Sequence, residues 1–590
     1  MPQRINFFFS SSGSRAACLV ARRPGRWGVQ AWTWDGGGFR QRMLTFQGES
    51  RYTQPLPLED GRVLLLRPNP GVHDLICLEP DSHGARHRLL GRIRARGLRL
   101  IASPGSAQAA LAIGRGPNGE SVLWRVLGGF QLDLVPVPIR DPQIVITGSV
   151  WLDRKGNEIG INTALTRGSV PMALNLRSGL LNRLEGNSGA VADKLVLSSP
   201  YGGTLLVGTR ARGKLEVAWA KRDAPTSLHY FPQLESLTGS VTPLAMSPDG
   251  NSVAFRVDHG TSSQLFVCRP EESVIRRLAT RQGVVGPQAC WPAHGLRFVR
   301  SAPDEPAHPQ TVDPFLAATA RPSGGESLIR RPSMRWATAH TEWLEGASGR
   351  IEAIVYGGSQ WRSAPRLLIA LHGGPESAWR FEFDPMFQRL SRSGIAVVAP
   401  NQRGSQGYGR AHKDAIRGAW GGPDLDDICH IARTLSAQRR SRRLPPLLIY
   451  GSSYGGYLAL LASARCPEIW SHCAVFSAFT SPQSLHADGS DGVRSFLKRL
   501  HALPEPQQPE KHDAAKLAAH ISARILIVHG HHDDVVPVSQ ARRLRSALRK
   551  AGRTEGKNFQ YAEVKAGHDP LSDCRDDDLS ERLTRFFIDP

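Results

Sequence analysis

Ser453 has the surroundings of a nucleophile. It lies in residues 451–455, Gly-Ser-Ser-Tyr-Gly, between an apolar run that predicts a buried strand and another that predicts a helix. Glycines allow strand and helix to approach closely, and the sharp turn between them pushes the serine hydroxyl out of the sheet. The N–H groups and partial positive charge at the helix start suit a developing oxyanion. The pattern predicts an activated serine, with an ordinary Gly/Ser turn as the alternative.

A serine nucleophile needs a base to take its proton and an acid to orient that base. Two later segments offer them, residues 529–537 (His-Gly-His-His-Asp-Asp-Val-Val-Pro) and residues 565–569 (Lys-Ala-Gly-His-Asp), each after a predicted strand. We assign Asp533 as the orienting acid and His568 as the base. The neighbouring alternatives are Asp534 for the acid and His529, His531 and His532 for the base. The close histidines lack a matching carboxylate cluster, so we expect no metal and no cofactor.

The oxyanion of such a reaction needs two N–H donors. The backbone N–H of Tyr454, next to the nucleophile, is the first. Residues 371–375, Leu-His-Gly-Gly-Pro, follow the predicted strand 366–371 and supply the second, because glycines leave room for N–H groups to turn inward. We favour Gly374 as this donor, with Gly373 as the alternative.

The elements that must carry these residues alternate between strand and helix in the C-terminal part of the chain. Such alternation predicts a mostly parallel, doubly wound sheet with helices on both faces, the α/β-hydrolase arrangement, in which all three side chains lie at the carboxyl ends of strands. The predicted strands are 350–356, 366–371, 394–399, 447–451, 472–478, 523–529 and 558–564, and the predicted helices are 424–438, 455–463, 539–551 and 577–588.

The N-terminal part predicts an all-β propeller. Short apolar strands separated by turns recur roughly every 40–50 residues, the period of a propeller blade. Residues 244–257, with Pro-Asp-Gly between two strands, form the clearest unit. We recognise six units and expect seven blades, since a two-sheet sandwich explains the strands but not the recurrence. We therefore divide the chain into a propeller (1–320), a linker (321–345, which begins inside the proline-rich stretch 303–335) and a catalytic domain (346–590).

The composition is that of a globular protein, with 40% apolar and 21% charged residues. No apolar run approaches the roughly 20 residues of a membrane span. The first residues have too short an apolar core for a signal peptide. The eight cysteines are scattered, without a C-x-x-C pair. We expect a cytoplasmic protein without membrane association, and the sequence leaves a homo-oligomer open.

The net charge of +22 raises the question of a nucleic-acid partner. Arginines cluster at residues 92–96, 439–443 and 542–545, but no aromatic residues are interleaved with them and no zinc or helix-turn-helix pattern accompanies them. We expect an arginine-rich solvated surface that could also attract acidic peptides, and no nucleic acid.

Several motifs are typical of one peptidase family and occur in its order. They are 372–375 (His-Gly-Gly-Pro), 400–409 (Pro-Asn-Gln-Arg-Gly-Ser-Gln-Gly-Tyr-Gly), 420–427 (Trp-Gly-Gly-Pro-Asp-Leu-Asp-Asp), 451–457 (Gly-Ser-Ser-Tyr-Gly-Gly-Tyr) and the segments of Asp533 and His568. Over residues 345–590 the chain resembles the prolyl oligopeptidase family, and its acylaminoacyl-peptidase branch most. The resemblance implies a serine peptidase that cleaves short or N-acylated peptides through an acyl-enzyme, with a propeller that excludes folded proteins.

Two departures from the family leave the substrate open. Many of its peptidases carry an arginine two residues after the catalytic aspartate, where this chain has Val535. Its dipeptidyl peptidases hold the substrate amino terminus with a glutamate pair of the propeller, which the sequence does not identify. An esterase, or a maturation protease or isopeptidase for one modified peptide, is therefore an alternative.

The substrate pocket has two candidate residues, Val535 and Phe479. Phe479 begins the long segment 480–518, which we expect to lie over the site. An alternative of another class is a propeller binding module with an inactive hydrolase scaffold. The joint presence of Ser453 and His568 argues against it, because a scaffold needs neither residue.

Overall fold

The computed structural model folds into an all-β domain followed by an α/β domain. It describes residues 3–589 except 24, 36–37, 70, 130, 142, 166–167, 185–193, 211–214, 273, 294, 316–335, 504–511 and 575–577. Among these described residues, no helix is long and apolar enough to cross a membrane.

The first domain is a propeller of seven antiparallel sheets. The recurrence of these sheets confirms the predicted seven blades, and the two-sheet sandwich is wrong. In chain order the blades are β1 (Gln3–Phe9), β2 (Arg15–Arg23), β3 (Arg26–Asp35), β4 (Gly38–Met43); β5 (Gln54–Pro57), β6 (Val63–Asn69), β7 (Val72–Asp81), β8 (Gly84–Ile93); β9 (Arg96–Ala102), β10 (Gln108–Arg115), β11 (Ser121–Leu127), β12 (Asp133–Pro136); β13 (Ile146–Trp151), β14 (Glu158–Leu165), β15 (Gly168–Asn175), β16 (Leu181–Arg183); β17 (Lys194–Ser198), β18 (Thr204–Thr209), β19 (Glu216–Lys221), β20 (Ala224–Tyr230); β21 (Ser240–Met246), β22 (Val253–His259), β23 (Ser262–Cys268), β24 (Ile275–Arg277); and β25 (Val284–Cys290), β26 (Leu296–Ala302), β27 (Glu305–Val312).

The turn between β21 and β22 shows how the sequence builds a blade. The Asp249 carboxylate accepts a hydrogen bond from Asn251 N (3.0 Å) and another from Ser247 Oγ. Gly250 adopts φ of +74°, which costs glycine little because it has no Cβ. The turn thus reverses the chain within a few residues and sets the register of the two strands.

The ring closes where the first blade meets the seventh. Phe7 and Trp32 of the first blade pack against Val299 of the seventh in one buried cluster. Arg297, also in the seventh blade, is 6% exposed and donates a hydrogen bond to the carbonyl of Gly13. Its guanidinium also lies 3.8 Å from the ring centroid of Trp34. Apolar packing and a buried cation therefore join the ends of the propeller without a covalent link.

The second domain is an α/β sheet of eight strands in the order β28-β29-β31-β30-β32-β33-β34-β35. The strands from β30 to β35 run parallel, and β28 and β29 form an antiparallel edge. The strands are β28 (Ala339–Gly346), β29 (Gly349–Tyr356), β30 (Arg366–Leu371), β31 (Ile395–Pro400), β32 (Leu447–Ser452), β33 (Trp470–Phe476), β34 (Arg524–Gly530) and β35 (Phe559–Val564), and the helices are α1 (Pro385–Arg392), α2 (Arg410–Asp414), α3 (Pro423–Ser441), α4 (Tyr454–Arg465), α5 (Pro482–Asp488), α6 (Asp491–Arg499), α7 (Ser539–Lys550), α8 (Pro570–Asp573) and α9 (Asp578–Ile588).

The border between the domains differs from the sequence-based division. Strand β28 lies in the stretch predicted as linker, and it pairs with β29 along its whole length. The proline-rich stretch also contains β27, which belongs to the seventh blade. The α/β sheet therefore begins before residue 346, and the propeller includes prolines that composition alone assigns to a linker. Residues 321–335 of the predicted linker lie outside the described residues.

The loop after β30 joins the two domains. Arg380 forms an ion pair with Asp258 of the propeller (2.6 Å) and donates to the carbonyl of Gly260 (3.0 Å). Next to it, Phe381 N donates to the carbonyl of Thr261 (2.8 Å). These bonds place the sixth blade against the loop that begins at the predicted oxyanion donors.

Candidate active site

Ser453 occupies the turn between β32 and α4, as the sequence predicts. Its backbone has φ of 54° and ψ of −119°, a strained conformation for a residue with a Cβ. Its N–H donates to the carbonyl of Phe476 at 2.8 Å. A Cβ on Gly451 would overlap the carbonyl of Gly455, and one on Gly455 would overlap the carbonyl of Leu371. The flanking glycines are therefore required for the close approach of helix and strands.

Asp533 and His568 form a hydrogen-bonded pair at this edge of the sheet. Asp533 follows β34 and His568 follows β35, which is paired with β34. His568 Nδ1 lies 2.8 Å from Asp533 Oδ2 and 3.0 Å from Oδ1. With Nδ1 donating to the carboxylate, the other ring nitrogen of a neutral imidazole is free to accept a proton.

The Asp533 carboxylate is held by three further groups. Its Oδ1 accepts from the N–H groups of Val535 (3.0 Å) and Val536 (2.8 Å). His529 Nε2, which donates to the carbonyl of Val536 (2.8 Å), also lies 3.3 Å from Oδ2. Burial acts to raise the pKa of Asp533, but the bonds from His529, His568 and the backbone outweigh it, and the pKa lies below the usual range. The carboxylate therefore stays charged and keeps His568 in one tautomer.

The alternative acid and bases lie in other environments. His529 is fully buried beneath Asp533. His531 bonds to Glu563 (3.3 Å) on the exposed side of the loop, and the ring of His532 stacks edge-on against it. Asp534 is exposed. The geometry thus favours Asp533 and His568 over these residues.

Ser453 and His568 both lie in the described part of the chain, and no hydrogen bond joins their side chains. The carboxyl ends of β32, β34 and β35 nevertheless carry Ser453, Asp533 and His568 to the same edge of the parallel sheet. Hydrogen bonds of this kind commonly tighten only when substrate is bound.

The Gly-Gly loop lies beside the nucleophile. A Cβ on Gly373 would lie 3.6 Å from Ser453 Cβ. Gly374 has φ of +140°, and a Cβ there would lie 3.0 Å from Glu376 N. Position 374 is therefore strained for any residue other than glycine.

A buried histidine orients this loop. His372 Nδ1 lies 2.6 Å from the carbonyl oxygen of Gly373, and Nε2 lies 2.8 Å from Ser405 Oγ. Burial lowers the pKa of His372 to about 4, so the ring is neutral at pH 7. Because C=O and N–H of a peptide unit point in opposite directions, holding the carbonyl of Gly373 also fixes the N–H of Gly374. The sequence motifs contain His372 and Ser405, but their pairing across 33 residues emerges only from the fold.

Tyr454 and Phe479 belong to an aromatic cluster behind the turn. Phe479 is 2% exposed and stacks on Tyr457 at 4.7 Å between ring centroids. Tyr454 is equally buried and packs edge-on against Trp420 at 4.8 Å. Phe479 thus supports the helix that carries the nucleophile, and its contact with substrate stays a prediction. Val535, in contrast, is 41% exposed and lies in the loop of Asp533, two residues after it.

The segment 480–518 forms α5 and α6, and its residues 504–511 lie outside the description. Arg499 of α6 forms an ion pair with Glu376, in the loop after Gly374, at 2.9 Å. Phe496 of the same helix packs against Trp420. The segment therefore borders the oxyanion loop and shapes one side of the site.

The propeller also contacts the loop of His568. Arg51 Nη1 lies 2.7 Å from Asp569, the residue after His568, and 3.3 Å from Asp573. Gly25 N donates to the carbonyl of Ser572 in the same loop (3.2 Å). The site thus lies at the face of the α/β domain that meets the propeller.

Some arginines of the three clusters have structural roles. Arg439 is 2% exposed and donates to the carbonyls of Ala364 (2.9 Å) and Pro365 (3.0 Å). Arg542 forms two hydrogen bonds with Glu563 at 2.8 and 2.7 Å. The positive charge is therefore partly structural and partly paired at the surface.

A family model matches most of the α/β domain, and curated proteins match parts of the chain. The model of the prolyl oligopeptidase family matches residues 381–589. The chain is 29% identical over 191 residues to the uncharacterized peptidase YuxL of Bacillus subtilis, covering 32% of this chain and 29% of that protein. It is 24% identical over 362 residues to a dipeptidyl-peptidase 5 of Aspergillus oryzae, covering 59% and 43%. The chain therefore spans less than half the length of these curated relatives.

Solved structures match both domains. The acylaminoacyl peptidase of Pyrococcus horikoshii superposes with a TM-score of 0.72 at 13% identity, covering 100% of this chain and 96% of that one. A puromycin-hydrolyzing peptidase of Mycobacterium tuberculosis superposes with a TM-score of 0.68 at 17% identity, covering 99% and 94%. These likenesses concern the fold, a propeller followed by an α/β-hydrolase domain. Together with the match of the family model over residues 381–589, they confirm that this domain resembles the prolyl oligopeptidase family, as the motifs predict.

Proposed function

We propose that the protein is a serine peptidase that cleaves short or N-acylated peptides through an acyl-enzyme intermediate. The observation that carries the proposal is the Asp533–His568 pair, at the same sheet edge as a serine in a strained strand-to-helix turn. A charged, buried acid holding one tautomer of a histidine is what proton transfer from a serine requires.

In the proposed reaction, Ser453 Oγ attacks the carbonyl carbon of the substrate while His568 takes the hydroxyl proton. The N–H groups of Gly374 and Tyr454 stabilise the oxyanion of the tetrahedral intermediate. His568 then gives its proton to the leaving amine, and the acyl group stays on Ser453. Water, activated by the same histidine, attacks the ester and frees the enzyme.

The propeller restricts the size of the substrate. It contacts the domain at the oxyanion loop through Arg380 and at the histidine loop through Arg51, so it covers two sides of the site. An unfolded segment fits such a covered space, whereas a folded protein does not. The printed names of the structural neighbours, an acylaminoacyl peptidase and a puromycin-hydrolyzing peptidase, support small acylated or aminoacylated substrates. The net charge of +22 favours acidic ones.

An esterase, or a maturation protease or isopeptidase for one modified peptide, is the second candidate. Val535 favours it, because its exposed apolar side chain in the loop of Asp533 cannot hold a substrate carbonyl by a hydrogen bond. An ester needs less help from such contacts than an amide, since its leaving group departs more readily.

The test compares substrates that differ in one property at a time. Matched N-acyl-aminoacyl anilides and p-nitrophenyl esters separate peptidase from esterase. A short peptide compared with a folded protein that contains the same sequence tests the size limit. We expect turnover of the anilide and the short peptide. Ester turnover alone would move the function to the second candidate, and cleavage of the folded protein at the same rate would contradict the role of the propeller.

A further inference from the structure

Tyr454 and Asp424 form a buried pair behind the nucleophile turn. Tyr454 Oη donates a hydrogen bond to Asp424 Oδ2, and the side chains are 1% and 0% exposed. Tyr454 is the first residue of α4, and Asp424 lies in the first turn of α3. The bond therefore ties the start of the nucleophile helix to the start of its neighbour, where an anion is also favoured by the helix dipole.

The pair acts on a peptide unit that faces the reaction. The residue that carries the phenol also carries the N–H next to Ser453, so the position of the ring and the direction of that N–H depend on each other. Packing against Trp420 and Phe479 holds the face of the ring, and Asp424 holds its hydroxyl end. Removing the acceptor would leave the O–H donor of this buried hydroxyl without its partner and loosen the hold on the ring.

We propose that Asp424 is a positioning residue of the oxyanion hole, acting through the hydroxyl of Tyr454. The inference rests on the proposed hydrolase function, because the Tyr454 N–H has a chemical role only there. Asp424 does not touch the substrate, so its effect falls on kcat, through the transition state, and little on KM.

The charge of Asp424 should make kcat depend on pH. Burial raises its pKa to about 7, with the bond from Tyr454 lowering it and Asp427 raising it. Asp427, one turn further along α3, is paired with Arg403 through Nε at 2.9 Å. Among the described residues, Tyr457 of α4 also lies beside Tyr454, and the ring of His512 lies beside Gly421. Below pH 7 Asp424 becomes a neutral and weaker acceptor, so its protonation lowers kcat.

Asp424→Asn and Tyr454→Phe test the proposal, with Tyr457→Phe as the matched control. Tyr457 lies one turn along the same helix, and its hydroxyl donates to the carbonyl of His512 (3.0 Å). We expect the first two variants to lose about 10- to 100-fold in kcat, less than the roughly 10²–10³-fold for an oxyanion donor removed outright. The double variant should lose no more than the worse single one. Binding of a peptide aldehyde, which forms a tetrahedral adduct on serine, should weaken by the same factor.

Three further results complete the test. Tyr457→Phe should keep kcat within about twofold of wild type, and KM should change little in all variants. Asp424→Asn should also lose the part of the acid limb that titrates near pH 7. Equal kcat in Tyr454→Phe and Tyr457→Phe would overturn the proposal, as would losses that simply follow the melting temperature. Tyr454→Phe keeps the aromatic ring, so it still tests the proposal if Asp424→Asn does not fold. Failure of the wild type to react with a fluorophosphonate would instead refute the proposed function.

Discussion

Asp533→Asn isolates the role of the acid with one atom changed. In the native site Oδ1 accepts from the N–H groups of Val535 and Val536, and Oδ2 lies 2.8 Å from His568 Nδ1. An asparagine must keep its oxygen toward the two backbone donors, because its amide NH₂ would face them donor to donor. The NH₂ then points at His568 and at the Nε2–H of His529.

The substitution changes the tautomer of His568. With an NH₂ donating to His568 Nδ1, the imidazole must carry its proton on Nε2, where it cannot take the proton of Ser453. In an unrelated serine protease the same change costs about 10⁴-fold in kcat, or roughly 5.5 kcal/mol at 1.36 kcal/mol per tenfold. We expect a loss of that size here, since the backbone donors dictate the orientation of the amide.

The assay is ester hydrolysis together with the rate of fluorophosphonate labelling, measured beside Asp534→Asn. Asp534 is the exposed neighbour and should tolerate the change within about twofold, as a surface substitution does. Retention of a tenth of the wild-type rate by Asp533→Asn would refute the reasoning. An equal loss in Asp534→Asn would show that the loop, and not one carboxylate, is responsible.

Three other substitutions test separate parts of the account. Gly374→Ala should lower kcat by roughly 10²-fold or more, as loss of an oxyanion donor does, while Gly349→Ala, with φ of +130° and open space around it, should cost stability but not activity in the same assay. Burial raises the pKa of Asp384 to about 6. The neutral carboxyl therefore favours the folded state at low pH, and this stability is lost as the pH rises through that value. Asp384→Asn should raise the melting temperature at about pH 8 but not at about pH 4. Arg297→Met should lower the melting temperature of the propeller, because it leaves the buried Gly13 carbonyl unpaired. Arg40→Met, at a side chain that is 83% exposed, should change the melting temperature little. Equal effects of the two substitutions would contradict the proposed ring closure.

Apolar patterns determine much of what the sequence predicts. The strands β30, β31 and β34 are predicted to within one residue, because each is a run of large apolar residues between turns. The positions of Ser453, Asp533 and His568 after strands follow from the same runs. The blades of the propeller are predicted from their period, even though their sequences differ.

Elements without an apolar pattern escape prediction. Strand β28 reads Ala-His-Thr-Glu-Trp-Leu-Glu-Gly, with polar residues throughout, because it is the edge of the sheet and one side faces solvent. Strand β27 carries prolines that an edge position tolerates. The proline-rich stretch therefore hides β27, and the sequence-based division leaves most of β28 in the linker.

Long-range pairings lie beyond local sequence. The motif 420–427 contains Asp424, yet its partner Tyr454 is 30 residues away, and only the packing of α3 against α4 brings them together. In the same way, Phe479 follows a strand, where residues of a substrate pocket are expected, but its ring packs into the core against Tyr457. A residue's place in the chain indicates the edge of the sheet on which it lies, and tertiary packing decides which way its side chain points.

Fluorophosphonate labelling decides whether Ser453 is the nucleophile. Wild type, Ser453→Ala and the neighbouring Ser452→Ala should be compared, with the labelled peptide identified by mass spectrometry. We predict label on Ser453 in wild type and in Ser452→Ala, and none in Ser453→Ala, with kcat lowered roughly 10⁶-fold. Label on another residue, or a Ser453→Ala variant that keeps a tenth of wild-type activity, would contradict the account.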